Sequence, residues 1–186
     1  MMSKTRKLPV TDVIGILLVI VALVSAGGLC YVASEYTKIA DTLVSAEAEI
    51  SSFRIVQNNA TGEVFINVMV TLNNPSSLDI EIYRVEYQTY VDRDTSTITS
   101  FDRYIGSGST NDNNGTVQGG IVREVPVSHV IMSDTLYKDR LEYALDGDDK
   151  LYAYTGGMLW FRLPDYPDVE SKIAFGFFGE VFVRYV

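Results

Sequence analysis

Residues Val64 to Val91 read VFINVMVTLNNPSSLDIEIYRVEYQTYV. Val64, Ile66, Val68, Val70 and Leu72 fall on one side of a period-two alternation, and Phe65, Asn67, Met69 and Thr71 fall on the other. Successive side chains of an extended chain point to opposite faces, so this pattern marks a strand with one buried face. Pro75 has no N–H to give a ladder and closes the strand, and the flanking Asn and Ser residues form the turn. A second alternating run follows from Leu78 to Val91. Its inward set shifts from Ile80 and Ile82 to Val85 and Tyr87, an odd step that predicts a β-bulge.

The same alternation extends on both sides. Glu49 to Gln57 reads as a strand, followed by a turn at Asn58–Gly62. Asp92 to Gly115 is rich in Gly, Ser, Thr, Asn and Asp; it predicts one ragged edge strand and then a mobile loop over Gly106–Gly115. Thr116 to Val127 reads as a strand closed by Pro126. Leu136, Arg140, Leu141, Ala144 and Leu145 have helical spacing, with Ser133 as a cap and Gly147 as a stop. Lys150–Leu163 and Ser171–Val186 read as the last two strands, separated by Pro164-Asp165-Tyr166-Pro167. Their aromatic residues, Trp160, Phe161, Phe175, Phe178 and Phe182 among them, read as core. About seven strands and one short helix predict an all-β domain over residues 49–186, an immunoglobulin- or fibronectin III-like β-sandwich.

The N-terminal region follows different rules. Residues Val13 to Ala33 (VIGILLVIVALVSAGGLCYVA) carry no charge and are long enough, at ~1.5 Å per residue, to cross a ~30 Å hydrocarbon core. Lys4, Arg6 and Lys7 precede them. The positive-inside rule therefore predicts a short cytoplasmic tail (1–12), a transmembrane signal anchor (13–33) and an extracytoplasmic domain reached through a helical stalk (34–48). A cleaved signal peptide ending near Val24-Ser25-Ala26 is the rival reading, although apolar character continues past that point. Cys30 is the only cysteine, so no intramolecular disulfide is available, and Leu29 before it does not fit a lipoprotein box.

The chain has a net charge of −9, and its acidic residues lie almost entirely after Asp12. That distribution argues against nucleic acid as a partner and leaves membrane lipid, through the N-terminal helix, and a protein of the envelope or membrane. Chemistry-bearing motifs are sparse. His129 is the only histidine, and no G-x-S-x-G elbow accompanies it. Asp146-Gly147-Asp148-Asp149 and Asp112 offer oxygen ligands but lack the EF-hand order. Gly106-Ser107-Gly108 lacks the spacing of a phosphate loop. Neither a catalytic residue, a cofactor nor a metal is expected. Asn59 and Asn114 head N-x-T triplets and are candidate glycosylation sites.

The order of features in Val64–Val91, with Asn74-Pro75 between two alternating strands, resembles the late embryogenesis abundant (LEA) type 2, or WHy (water stress and hypersensitive response), domain. Val122–Val127 (VREVPV), the helix Ser133–Leu145 and Tyr154-Thr155-Gly156 fall in the same order as in that family. The resemblance covers roughly Glu47 to Val186. It implies a sandwich fold and a non-enzymatic, membrane-tethered domain linked to desiccation and stress tolerance, binding proteins or envelope surfaces. Asn74 and Pro75 would then be structural. The alternative expectation is an accessory subunit of a larger membrane assembly. The polar stretch Asp92–Gly115 departs from the family pattern.

Overall fold

The computed structural model describes residues 10–94, 103–110, 115–131, 135–145 and 150–186. The chain divides into two compact units, Met1–Asp41 and Thr42–Val186. The first is helical. Helix α1 runs unbroken from Val10 to Ser45, and the large apolar side chains between Ile14 and Val32 are exposed. This helix is long and apolar enough to cross a membrane.

The second unit is mainly β. Its strands are β1 (Glu47–Gln57), β2 (Val64–Asn74), β3 (Ile80–Asp92), β4 (Tyr104–Thr110), β5 (Gly115–Val117), β6 (Ile121–Ile131), β7 (Lys150–Leu163) and β8 (Tyr166–Tyr185); helix α2 (Thr135–Leu145) lies between β6 and β7. They form one hydrogen-bonded path, β4-β3-β7-β8-β1-β2-β6, with β5 added beside β3. The sheet is thus continuous where two separately bonded sheets were expected. It curls into a half-barrel, and the join is narrow: β8 pairs with β1 in parallel only at Ile55–Gln57 against Val183–Tyr185.

The alternation of Val64–Val91 translates directly into burial. Val64, Ile66, Val68, Val70 and Leu72 are all inside, as are Ile80, Ile82, Val85, Tyr87 and Val91. Each such aliphatic side chain contributes about 1.5–3 kcal/mol by leaving water. The bulge is where the pattern put it: the β3–β7 register slips between Ile82 and Arg84, so Tyr83 and Arg84 both point outward.

Several expectations change. Tyr104–Thr110 is a strand paired with β3 from Val85 to Tyr90, so the predicted loop over Gly106–Gly115 is ordered through Thr110. Its small residues answer to packing: a Cβ on Gly108 would sit 2.4 Å from the Tyr87 ring. Residues 95–102 and 111–114, with Asp112 and Asn114, lie outside the described residues, as do Ser133 and the Asp146–Asp149 turn.

The predicted strand Thr116–Val127 divides into β5 and β6 at a turn through Gly119 and Gly120, the latter at φ +74°. Pro126 does not end β6. Among the described residues that strand ends the sheet path and pairs only with β2, which leaves room for a residue lacking N–H. β8 begins at Tyr166, directly after Pro164-Asp165, and Pro167 falls in a register slip where no ladder bond is asked of it. Of the aromatic residues read as core, Phe161 and Phe175 are buried, whereas Phe178 and Phe182 are 55% and 62% exposed. They occupy the outward positions of β8's alternation.

Candidate binding groove

Three groups of residues concentrate the chemistry of the β unit. The first is the Asn-Pro turn. Asn74 is fully buried. Its amide Nδ2 donates to the carbonyls of Leu78 (2.8 Å), Val117 (3.2 Å) and Gln118 (3.3 Å), and its Oδ1 accepts from the Ser76 hydroxyl at 2.7 Å. Its own backbone carbonyl accepts from Gly120 N at 2.8 Å. The side chain therefore pins the β2–β3 turn to the β5–β6 turn, and every polar atom of the amide is used. Pro75 is exposed and stops the ladder. The role is architectural. Asn59 stands exposed in the turn after β1, accessible as an acceptor triplet would require.

The second group is His129 with Tyr87. They come from β6 and β3 and meet inside the curl, Tyr87 Oη 2.5 Å from His129 Nδ1. Burial raises the phenol's pKa and pushes the imidazole down to about 4, so both are neutral near pH 7. Which of Oη and Nδ1 donates depends on the imidazole tautomer, and the ring's other nitrogen is Nε2. That nitrogen is buried without a hydrogen-bond partner among the described residues and lies against Gly106, where a Cβ would approach it to 2.6 Å. Ser128, its neighbour in sequence, points to solvent on the opposite face. The pair is a packing contact that closes the curl.

A pH dependence follows. A base whose folded pKa lies below its unfolded value of ~6.5 binds more protons when unfolded. Its stabilising contribution is intact above ~6.5 and is lost as pH falls toward about 4. We expect a loss of about 2–3 kcal/mol across that window. His129→Phe should be less stable at pH 7 yet lose less between pH 7 and 4.5. Urea midpoints of the two proteins at both pH values would check this, and parallel losses would refute it.

The third group lies on the outer face of β4-β3-β7-β8. Strand register puts Tyr104, Tyr90, Tyr154 and Phe178 in one row across all four strands. Neighbouring rings meet at 5.6 Å (Tyr90–Tyr104) and 6.0 Å (Tyr90–Tyr154), and Tyr137 of α2 extends the row with an edge contact at 5.7 Å to Tyr104. Such pairs add about 0.5–1.5 kcal/mol each. The adjoining row carries almost no bulk on β7 and β8, because Gly156 pairs with Gly176. Beyond it stand Met158 and Trp160. The result is an open groove of about 670 Å³.

Two polar pairs border the groove on β3. Tyr90 Oη donates to Gln88 Oε1 at 3.0 Å, which leaves the Gln88 amide N–H groups facing outward. Arg84 holds Glu86 Oε1 and lies over the Trp160 ring, 4.9 Å from its centroid. The sequence does not single these out as a site, and its aromatic pattern reads Trp160 as core, whereas the ring is half-buried on the outer face. The available signal was Tyr90 on β3 with Tyr152 and Tyr154 on β7, which period-two counting places opposite the buried residues of their strands.

No family model matches the chain, and no curated protein does. Solved structures do. The chain is similar to the solution structure of At2g46140.1, a candidate late embryogenesis abundant (LEA) protein, with a TM-score of 0.53 and 18% identity over 88% of this chain and 85% of that one. The fold is LEA-like. A second solution structure, AT1g01470 from Arabidopsis thaliana, matches with a TM-score of 0.50 and 19% identity over 74% of this chain and 82% of that one. At these identities the LEA-like likeness speaks for the fold and for nothing finer.

Proposed function

We propose that this chain is a membrane-tethered, non-enzymatic binding domain of the LEA type 2 kind, held outside the cytoplasm and serving in stress or desiccation tolerance. The observation that carries the reading is the long exposed apolar stretch of α1. Its side chains from Ile14 to Val32 are largely apolar and exposed, on a helix long enough to cross a membrane. The basic residues Lys4, Arg6 and Lys7 favour a cytoplasmic N-terminus. The LEA-like fold supports the family reading, in which β6-β2-β1 and β4-β3-β7-β8 serve as the two halves of an immunoglobulin- or fibronectin III-like sandwich.

The test is protease accessibility on intact cells, followed by immunoblotting for both ends of the chain. The expected result is loss of the β unit with a small membrane-bound N-terminal stub surviving. Protection until lysis would reject the orientation. A full-length β unit free of the membrane, lacking its first residues, would identify a cleaved leader instead. A deletion strain that survives drying as well as its parent would remove the stress role and leave the tether.

A further inference from the structure

The outer-face groove has two unlike sides. On β7 it offers two half-buried rings, Tyr154 and Trp160, the latter with the Arg84 guanidinium over one face. On β3 and β4 it offers fixed hydrogen-bonding groups in paired rows: Gln88 opposite Ser107, and Glu86 opposite Ser109. Gln88 and Glu86 are each anchored by one oxygen, to Tyr90 and Arg84 respectively, so their remaining polar atoms are held in place before any ligand arrives. Between the sides, Gly156 has no side chain, and the Tyr154 ring leans across it. A Cβ there would meet Tyr154 Oη at 2.8 Å and Cζ at 3.2 Å. Tyr154 and Met158 are four residues apart on one strand face, which sets the strip between them at about 13 Å.

We propose that this groove binds a neutral glycan chain, with a sugar ring stacked on Tyr154, the next beside the Arg84–Trp160 pair, and hydroxyls bonded to Gln88 and Glu86. A pyranose is amphipathic in the way the groove is. Its axial C–H groups carry slight positive charge and suit the negative face of an aromatic ring. Its hydroxyls, each donor and acceptor, suit a carboxylate and a primary amide. A peptide fits less well, because the middle of a sheet face presents no free backbone N–H or C=O to satisfy the peptide's own amides. Polyanions are disfavoured by Glu86 and by the chain's net charge of −9. The proposal gives a ligand class to the binding domain described above, and it rests on that reading of a surface-binding module and not on its tether.

Trp160 is the only tryptophan, so the groove contains its own reporter. The full chain in detergent micelles would be titrated with three neutral hexasaccharides: β1,4-linked glucose, α1,4-linked glucose and β1,4-linked N-acetylglucosamine. The expected result is a saturable change in Trp160 fluorescence with at least one of them, and a matching heat by calorimetry. Tyr154→Ala should weaken that affinity at least tenfold. Gly156→Ala should also weaken it, since its Cβ meets only the movable tip of the Tyr154 ring and leaves the backbone alone. Gln88→Ala, at an exposed position, removes a polar partner, together with the exposed bond it accepts from the Tyr90 hydroxyl, and should weaken it several-fold.

Silence with all three sugars would overturn the proposal. So would sugar binding that all three variants retain, or binding of a proline-rich decapeptide in place of the sugars. Silence in a protein whose β unit is stripped by protease from intact cells would sink the groove and spare the tether. Binding by a β unit protected in intact cells would do the reverse.

Discussion

Replacing Asn74 with aspartate should cost the β unit about 3–5 kcal/mol, enough to unfold a domain of ordinary stability. The amide Nδ2 faces three carbonyl oxygens at 2.8–3.3 Å. A carboxylate in its place loses every donated bond and buries a negative charge against three negative dipole ends. Asn74→Ala should cost less, about 2–3 kcal/mol, because it removes the bonds without adding the charge. The order of urea midpoints, wild type above Ala above Asp at pH 7, is the measurement. Acid should narrow the gap between Asp and Ala, since a buried, unpaired carboxyl has a raised pKa and its protonated form regains one donor. A substitution series in which aspartate is tolerated would show that the two turns are not held together through this side chain.

Gly157→Ala should be nearly as damaging, at about 3 kcal/mol. Its Cβ would lie 2.2 Å from the carbonyl oxygen of Glu86, 2.5 Å from Phe175 Cζ and 2.8 Å from Tyr87 Cβ. The first contact is with the backbone of β3, to which β7 is hydrogen-bonded at this point, so no rotamer change relieves it. The two strands must separate, or the bonded register must break. Gly176 provides the control. It sits in the next strand, and its Cβ would find only the Thr155 carbonyl, at an ordinary 3.5 Å. Gly176→Ala should leave stability within about 0.5 kcal/mol of wild type or slightly raise it. Thermal unfolding of the pair separates close packing from any general preference for glycine in this sheet. Equal losses would contradict the geometry.

These expectations show how the aromatic groove and the core depend on each other. Gly157 lets β3, β7 and Phe175 close up inside the sheet, and one residue earlier Gly156 leaves space on the outside for the Tyr154 ring. The same dipeptide therefore serves both faces of one strand, through alternation alone.

Much of what depends on near neighbours in the chain was legible in the sequence alone, although the turn at Gly119–Gly120 was not. The apolar length of Val13–Ala33, the one-sided alternation of Val64–Leu72, the bulge after Ile82 and the stop at Asn74-Pro75 are local, because each is set by the period of the backbone or by a missing N–H. Only the tertiary structure decided what depends on a distant partner. Gly106–Thr110 reads as loop by composition, yet it belongs to strand β4, because β3 lies beside it and Tyr87 requires glycine at 108. Pro126 reads as a strand end, yet it is tolerated where β6 ends the sheet path. His129 looked like a solitary polar residue, and Tyr87, 42 positions away, gave it a buried role. The groove likewise exists only through register. Alternation could place Tyr90 and Tyr154 opposite the buried set of their strands. Aligning them with Tyr104 and Phe178 across four strands required cross-strand pairing that no single stretch of sequence encodes.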